Sequence, residues 1–122
     1  MCAIAGIISL EAKRDTMDRM LKTMARRGPD ASGIWQSQDH ALLHSRLAII
    51  DPDGGDQPME LDFAGEHYVL VYNGELYNTH EIRTELECLG HTFTDHSDTE
   101  VLLHAYVQWG ADSVRRINGI FS

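Results

Sequence analysis

The 122 residues are 43% hydrophobic and 24% charged, the size and composition of one soluble globular domain with a modest core. A net charge of −9, with basic residues clustered no more densely than pairs such as Arg26-Arg27 and Arg115-Arg116, argues against a nucleic-acid partner, because phosphate backbones require clustered Lys and Arg. No apolar run approaches the roughly 20 residues that cross a bilayer, and Cys2 and Cys88 make neither a disulfide framework nor a metal cluster.

At the start of the chain Cys2 follows the initiator methionine. Methionine is normally trimmed ahead of a residue this small. Cys2 would then carry a thiol (reference pKa about 8.5) beside an α-amino group (about 7.7–8.0), a nucleophile with a base in reach. A small, buried, inert cysteine fits the same position. The opening residues also lack the basic region and cleavage site of a signal peptide. A reducing cytoplasm is the expected setting, and it would keep the thiol free.

Ala3–Leu10 is nearly continuous in apolar character and reads as a strand buried on both faces. A helix is predicted from about Asp15 to Arg27, capped by Asp15 or Thr16. Met17, Met20, Leu21 and Met24 form its core-facing stripe, and Gly28-Pro29 ends it. After the loop Gly28–Gly33, a strand begins at Ile34-Trp35, Gln36–His40 turns, and Ala41–Ile50 returns. Arg46 lies inside that apolar return strand. It either points to solvent by strand alternation or is buried against an anion, since a lone buried charge is expensive.

The polar stretch Asp51–Gln57 reads as a loop ending at Pro58-Met59, either a flap or a connection. His67–Tyr72 alternates as a strand and runs into Asn73-Gly74-Glu75, on local grounds a tight turn. Asn78 with Glu81 predicts a capping box for a helix whose apolar face is Ile82, Leu86 and Leu89, with Gly90 closing it. Cys88 falls off that stripe and reads as structural or surface-exposed. Ser97 with Glu100 makes a second capping box, for a helix carrying Val101, Leu102, Ala105, Tyr106 and Trp109. Asp98 sits in its first turn, where the helix dipole alone would favour a carboxylate. A short helical stretch at Asp112–Arg116 precedes Ile120-Phe121, which reads as a strand beginning. On that basis the chain is expected to be the front part of a larger domain.

Six stretches fall in one order: Met1-Cys2-Ala3-Ile4-Ala5-Gly6-Ile7, Arg26-Arg27-Gly28-Pro29-Asp30-Ala31-Ser32-Gly33, His44-Ser45-Arg46-Leu47-Ala48-Ile49-Ile50-Asp51, Tyr72-Asn73-Gly74-Glu75-Leu76-Tyr77-Asn78, Ser97-Asp98-Thr99-Glu100 and Asn118-Gly119-Ile120-Phe121. Together they resemble the glutaminase domain of the glutamine-hydrolysing asparagine synthetases, class II glutamine amidotransferases of the N-terminal-nucleophile hydrolases. The resemblance covers the whole chain. Arg-Gly-Pro-Asp, Ser-Arg-Leu and Asn-Gly-Glu-Leu-Tyr-Asn separate it from the relatives that form glucosamine phosphate or phosphoribosylamine.

The resemblance implies an α+β fold, a four-layer αββα sandwich that is C-terminally incomplete here. It implies glutamine as the substrate and Cys2 as the nucleophile that forms a γ-glutamyl thioester. The Asn73 side chain and the Gly74 N–H would stabilise the oxyanion. Arg46 would hold the α-carboxylate, with binding positions continuing through Leu47, Ala48, Ile49 and Ile50. Asp98 and Glu75 would meet the α-ammonium or orient the site. A synthetase domain, using ATP and Mg²⁺ to form β-aspartyl-AMP and receiving the ammonia, would be the functional partner and is not in this chain. The domain itself would need no cofactor, and a homodimer is consistent with the resemblance. Two departures stand out. Ala3 occupies a position where many relatives have glycine, and the chain is shorter than the family's glutaminase domain. Two alternatives stay open: a related amidotransferase with another acceptor, and an inactive truncated remnant.

Overall fold

The computed structural model describes residues 2–8, 13–48 and 54–122. The elements run β1 (Ala3–Ile8), α1 (Arg14–Met24), β2 (Ala31–Gln36), β3 (His40–Arg46), β4 (Met59–Phe63), β5 (Glu66–Leu70), β6 (Gly74–Leu76), α2 (Thr79–Cys88), α3 (Asp98–Trp109) and β7 (Gly119–Phe121), with a 3₁₀ turn at Gly110–Arg115. The result is a mixed α/β domain.

β3 is the middle of a three-stranded antiparallel sheet, flanked by β1 and β2. Its register sets Ala5 and Ile34 against Leu43, and Ile7 against Ala41. Side chains opposite one another share a face, so this face is apolar. The methionine stripe of α1 packs on it: Met17 and Met24 are buried with Ala41 and Leu43, joined by Ala3, Ala5, Ile7, Met20, Leu21 and Ile34. The predicted burial of β1 on both faces is corrected. Its other face carries Gly6 and Ile8, and Ile8 is 85% exposed, because α1 covers one side only. Ser9 and Leu10 of the predicted strand lie outside the described residues, as do Ile49 and Ile50 of the predicted return strand.

The helix α1 is shorter than predicted. It starts after Lys13 without a side-chain cap, and neither Asp15 nor Thr16 is the N-cap residue. Asp15 and Asp18 instead pair with Arg19 and Arg14 on the surface. The end falls three residues before Arg27, where Arg27 and Gly28 both donate to the Met24 carbonyl.

β4 and β5 form a hairpin that turns at Ala64 and Gly65, with φ of 52° and 86°, the backbone of a primed turn. Patterning predicts the second of these strands but not the first. Adjacent β5 residues point opposite ways. His67 stacks on Trp35 of β2 at 6.3 Å, and Tyr68 meets Tyr106 of α3 edge-on at 6.4 Å.

α2 and α3 share a second core of Ile82, Leu86, Val101 and Ala105. Leu89, predicted for that face, is 52% exposed because α2 stops at Cys88. Asn78 occupies the N-cap position of α2 as predicted, but the capping box is corrected, because its side chain makes no cap hydrogen bond. Its amide donates to the Arg116 carbonyl and accepts from the Asn118 N–H, at 2.9 and 2.8 Å. Those two bonds hold the segment leading into β7.

At α3 the Ser97 cap is as predicted, accepting from the Glu100 N–H at 3.1 Å. The reciprocal half of the box is not formed. Buried Glu100 reaches past Ser97 to the backbone N–H groups of Thr94 and Asp95, each at 2.8 Å. Asp95 takes the Ser97 N–H instead.

Among the described residues no helix is long and apolar enough to cross a membrane.

Candidate functional site

A cavity of about 200 Å³ opens where the ends of β1 and β3, the segment entering β6 and the first turn of α3 converge. The volume is below the about 300–1,000 Å³ of drug-sized sites and suits a small metabolite. Cys2, Arg46 and Leu47 form one wall, Asn73, Gly74 and Glu75 a second, and Asp98 a third.

Cys2 is half-buried just ahead of β1 and faces the chain leaving β3. Its Sγ lies 3.7 Å from the Leu47 carbonyl, to which it donates, and accepts from the Leu47 N–H at 3.4 Å. The strand thus fixes the thiol by two main-chain contacts. Cys88 is free and exposed on α2, as predicted.

Arg46 ends β3 and is 8% exposed. Its Nη1 donates to Asp56 Oδ1 at 2.9 Å, and Nη2 donates to the Gly54 carbonyl. The buried alternative is therefore the correct one, and an anion does meet the charge.

The Arg-Gly-Pro-Asp motif holds this stretch of β3 in place. A Cβ on Gly28 would lie 2.2 Å from the Ser45 carbonyl carbon and oxygen and 2.5 Å from the Arg46 nitrogen. Only glycine allows the loop to lie that close. Asp30 then brackets the strand end: its N–H donates to the Arg46 carbonyl at 2.9 Å, and its Oδ2 accepts from the Ala48 N–H at 2.8 Å. Ala48 spends its amide there and does not line the cavity. Ile49 and Ile50 lie outside the described residues.

Asn73 and Gly74 do not make the tight turn that their pairing suggests. Asn73 exchanges backbone hydrogen bonds with Ser122 at 3.1 and 2.9 Å, and Gly74 begins β6, paired with β7. A Cβ at Gly74 would sit 2.3 Å from the Ile120 carbonyl oxygen, so glycine is required there by strand packing. Glu75 is exposed beside it.

Asp98 opens α3. Its Oδ2 accepts from the Tyr72 hydroxyl at 2.9 Å and from the Leu76 N–H at 3.1 Å. The helix dipole is therefore only part of its environment. Burial, followed by the Asp98 charge, pushes the Tyr72 phenol well above its ordinary value, so it remains a donor.

Two neighbours that patterning did not single out complete the surroundings. Gln57 accepts from the Tyr72 N–H and donates to Thr99 Oγ1 at 3.3 Å. Asp95 accepts from the Gly55 N–H at 2.9 Å and the Ser97 hydroxyl at 2.7 Å. Burial raises the Asp95 pKa, but these donors outweigh it and leave the carboxyl below its usual value.

Behind Arg46, His44 is 1% exposed. Burial lowers its pKa, the hydrogen bond to the Tyr72 backbone opposes that, and the Arg46 charge adds to it. Among the described residues, its Nε2 and the Ser45 hydroxyl are buried without a hydrogen-bond partner.

The family model described as a glutamine amidotransferase domain matches residues 1–122. An asparagine synthetase [glutamine-hydrolyzing] 3 of Bacillus subtilis is 48% identical over 127 aligned positions, covering 100% of this chain and 20% of that protein. The asparagine synthetase [glutamine-hydrolyzing] 1 of Arabidopsis thaliana is 40% identical, covering 100% of this chain and 21% of that one. A second Bacillus subtilis relative, asparagine synthetase [glutamine-hydrolyzing] 1, is 35% identical over the whole chain. The chain thus spans about a fifth of the length of the curated relatives it matches. With the family model matched from the first residue to the last, the chain belongs to the glutamine amidotransferase domain family.

Proposed function

We propose that the cavity binds glutamine and that Cys2 hydrolyses its side-chain amide, releasing ammonia for an asparagine-forming site elsewhere in a longer protein. The observation that carries this reading is the convergence of Cys2, Arg46, Asn73, Gly74 and Asp98 on one cavity. A free amino acid needs a cationic and an anionic clamp. Arg46 suits the α-carboxylate as a planar fork of donors, and Asp98 suits the α-ammonium.

With Met1 removed, the Cys2 sulfur attacks the amide carbon while its proton passes through the α-amine to the departing nitrogen. The C–N bond breaks, ammonia leaves and a γ-glutamyl thioester remains. Water then cleaves the C–S bond, giving glutamate and the free thiol. Each addition places negative charge on the carbonyl oxygen. The Asn73 amide and the Gly74 N–H are the donors for it.

ATP and Mg²⁺ belong to the synthetase part of this reading. Among the described residues no group of three or more His, Cys, Asp or Glu is arranged to hold a metal ion, and no step above passes through one. The layering supports the sandwich architecture. α1 covers one face of the three-stranded sheet, while the β4–β5 hairpin meets that sheet through Trp35–His67 and α3 through Tyr68–Tyr106.

The test is Cys2→Ala in the full-length protein, assayed for asparagine formation with glutamine and, separately, with ammonium. Glutamine-dependent formation should vanish and ammonia-dependent formation persist. Equal loss of both would remove Cys2 from the role given to it.

A further inference from the structure

Tyr72 is 3% exposed. A phenol that deep needs a partner for its hydroxyl, and the partner here is a charged residue of the cavity. Two donors, the Tyr72 hydroxyl and the Leu76 N–H, converge on Asp98 Oδ2 at 2.9 and 3.1 Å, while no hydrogen bond to Oδ1 occurs among the described residues. Two donors on one oxygen fix the plane of the carboxylate and leave the lone pairs of the other oxygen unspent. Tyr72 is itself held from behind, because its N–H donates to Gln57, which is tied to Thr99 on α3. An aspartate serving only the dipole of α3 would need no buried phenol, since water satisfies a carboxylate in a first helical turn.

We propose that Tyr72 is a positioning residue: with the Leu76 amide it secures one oxygen of Asp98 and so aims the other at the α-ammonium of the bound amino acid. Tyr72 would thereby set how strongly the site demands an α-ammonium. This rests on the reading of Asp98 given above.

The experiment compares glutamine with glutaramate, the analogue in which hydrogen replaces the α-ammonium, as substrates of the full-length protein. The readout is the ratio of their kcat/KM values. Both are measured on one preparation, so the folded fraction cancels. Tyr72→Phe keeps the ring and removes only the donor. The ratio should fall about tenfold through a higher KM for glutamine, the scale of one misplaced charge-assisted contact, with glutaramate unaffected. Placing 4-aminophenylalanine at position 72 restores a para donor and should bring the ratio back. Protection of Cys2 from alkylation by each compound gives the same comparison without turnover, should the variants turn over too slowly.

Asp98→Asn separates the two layers of the argument. If it leaves the ratio at the wild-type value, the assignment of Asp98 to the α-ammonium fails. If it collapses the ratio while Tyr72→Phe does not, Asp98 stands and the role of Tyr72 is overturned. A ratio lowered by Tyr72→Phe but not restored by the amino analogue overturns it as well.

Discussion

Replacing Gly28 with alanine should damage the site from a distance. The new methyl carbon would lie 2.2 Å from the Ser45 carbonyl and 2.5 Å from the Arg46 nitrogen, about 1.2 Å inside ordinary contact. Those atoms are the backbone of β3, which is hydrogen-bonded on both sides by β1 and β2 and cannot give way. The loop must move instead. Moving it breaks the bond from the Asp30 N–H to the Arg46 carbonyl and the bond from the Ala48 N–H to the Asp30 carboxylate. A neutral hydrogen bond contributes about 0.5–1.5 kcal/mol and a charge-assisted one about 1.5–3. If the loop stays put, overpacking costs about 1–3 kcal/mol. The two routes bracket a loss of about 1–4.5 kcal/mol, against a typical domain stability of about 5–15. Urea unfolding measures it. Because the methyl group acts by dislodging Asp30, Gly28→Ala combined with Asp30→Ala should cost much less than the sum of the two single changes. A loss below about 0.5 kcal/mol, the range of an ordinary surface substitution, or full additivity with Asp30→Ala, would refute the clamp.

Gly74→Ala places a Cβ 2.3 Å from the Ile120 carbonyl oxygen. It should part β6 from β7, shift Asn73 and lower kcat for glutamine about 10²-fold, the effect of losing one oxyanion donor; unchanged kcat would detach Asn73 and Gly74 from the chemistry. Acidification should destabilise the fold in two windows. His44 and His104 are held below their ordinary 6.5, both foremost by burial. They stay neutral in the folded chain while the unfolded chain takes up protons. Stability should therefore be complete above pH 6.5 and fall as pH drops through it, by at most about 1.4 kcal/mol per pH unit for each histidine. His104 shares a hydrogen bond with His91, Nδ1 to Nδ1 at 2.8 Å, which two protonated rings cannot form. The Asp95 carboxyl, held below its ordinary 3.8, contributes stability that is lost only at lower pH. Urea midpoints that stay flat between pH 7 and 5 would refute the histidine contribution.

What was legible in the chain divides along a physical line. α1, α3 and the strand carrying Arg46 follow from periodicity, and that signal is local. The residues around the cavity follow from the family resemblance, whose ordered stretches contain Cys2, Arg46, Asn73, Gly74 and Asp98, and all five line one cavity. The failures come where a local reading competes with a distant partner. Asn78 is a good cap by sequence, yet it binds Arg116 and Asn118, 38 and 40 residues away. Asn73-Gly74 is a good turn by sequence, yet Asn73 pairs with Ser122 and Gly74 with β7. Glu100 sits at the correct spacing to close a capping box and instead secures Thr94 and Asp95. No periodic signature marks such bonds. For Asp30 the nearest signal was the Gly-Pro-Asp sequence, which also reads as a plain helix stop. For Tyr72 it was an aromatic at the end of an alternating strand, which also reads as core.

The Arg46 end and the Asp98 end of the cavity differ in what a ligand must displace. Arg46 is nearly buried, and a charge there without a counter-ion would be costly. Asp56 supplies one, but its own side chain is 89% exposed. An arriving carboxylate that takes the place of Asp56 therefore exchanges one anion for another at the guanidinium. The displaced group is already mostly in water and loses little, as expected of an ion pair with one partner solvated. The guanidinium keeps an anionic partner throughout. At Asp98 no such exchange is available, because its two donors are an N–H and a phenol inside the fold. A cation bound there is a net gain of charge pairing. On the proposed reading, the Arg46 end accepts the α-carboxylate at low cost, while the Asp98 end carries the larger share of discrimination. The same reading puts the specificity of the site at Asp98 and the residues that orient it.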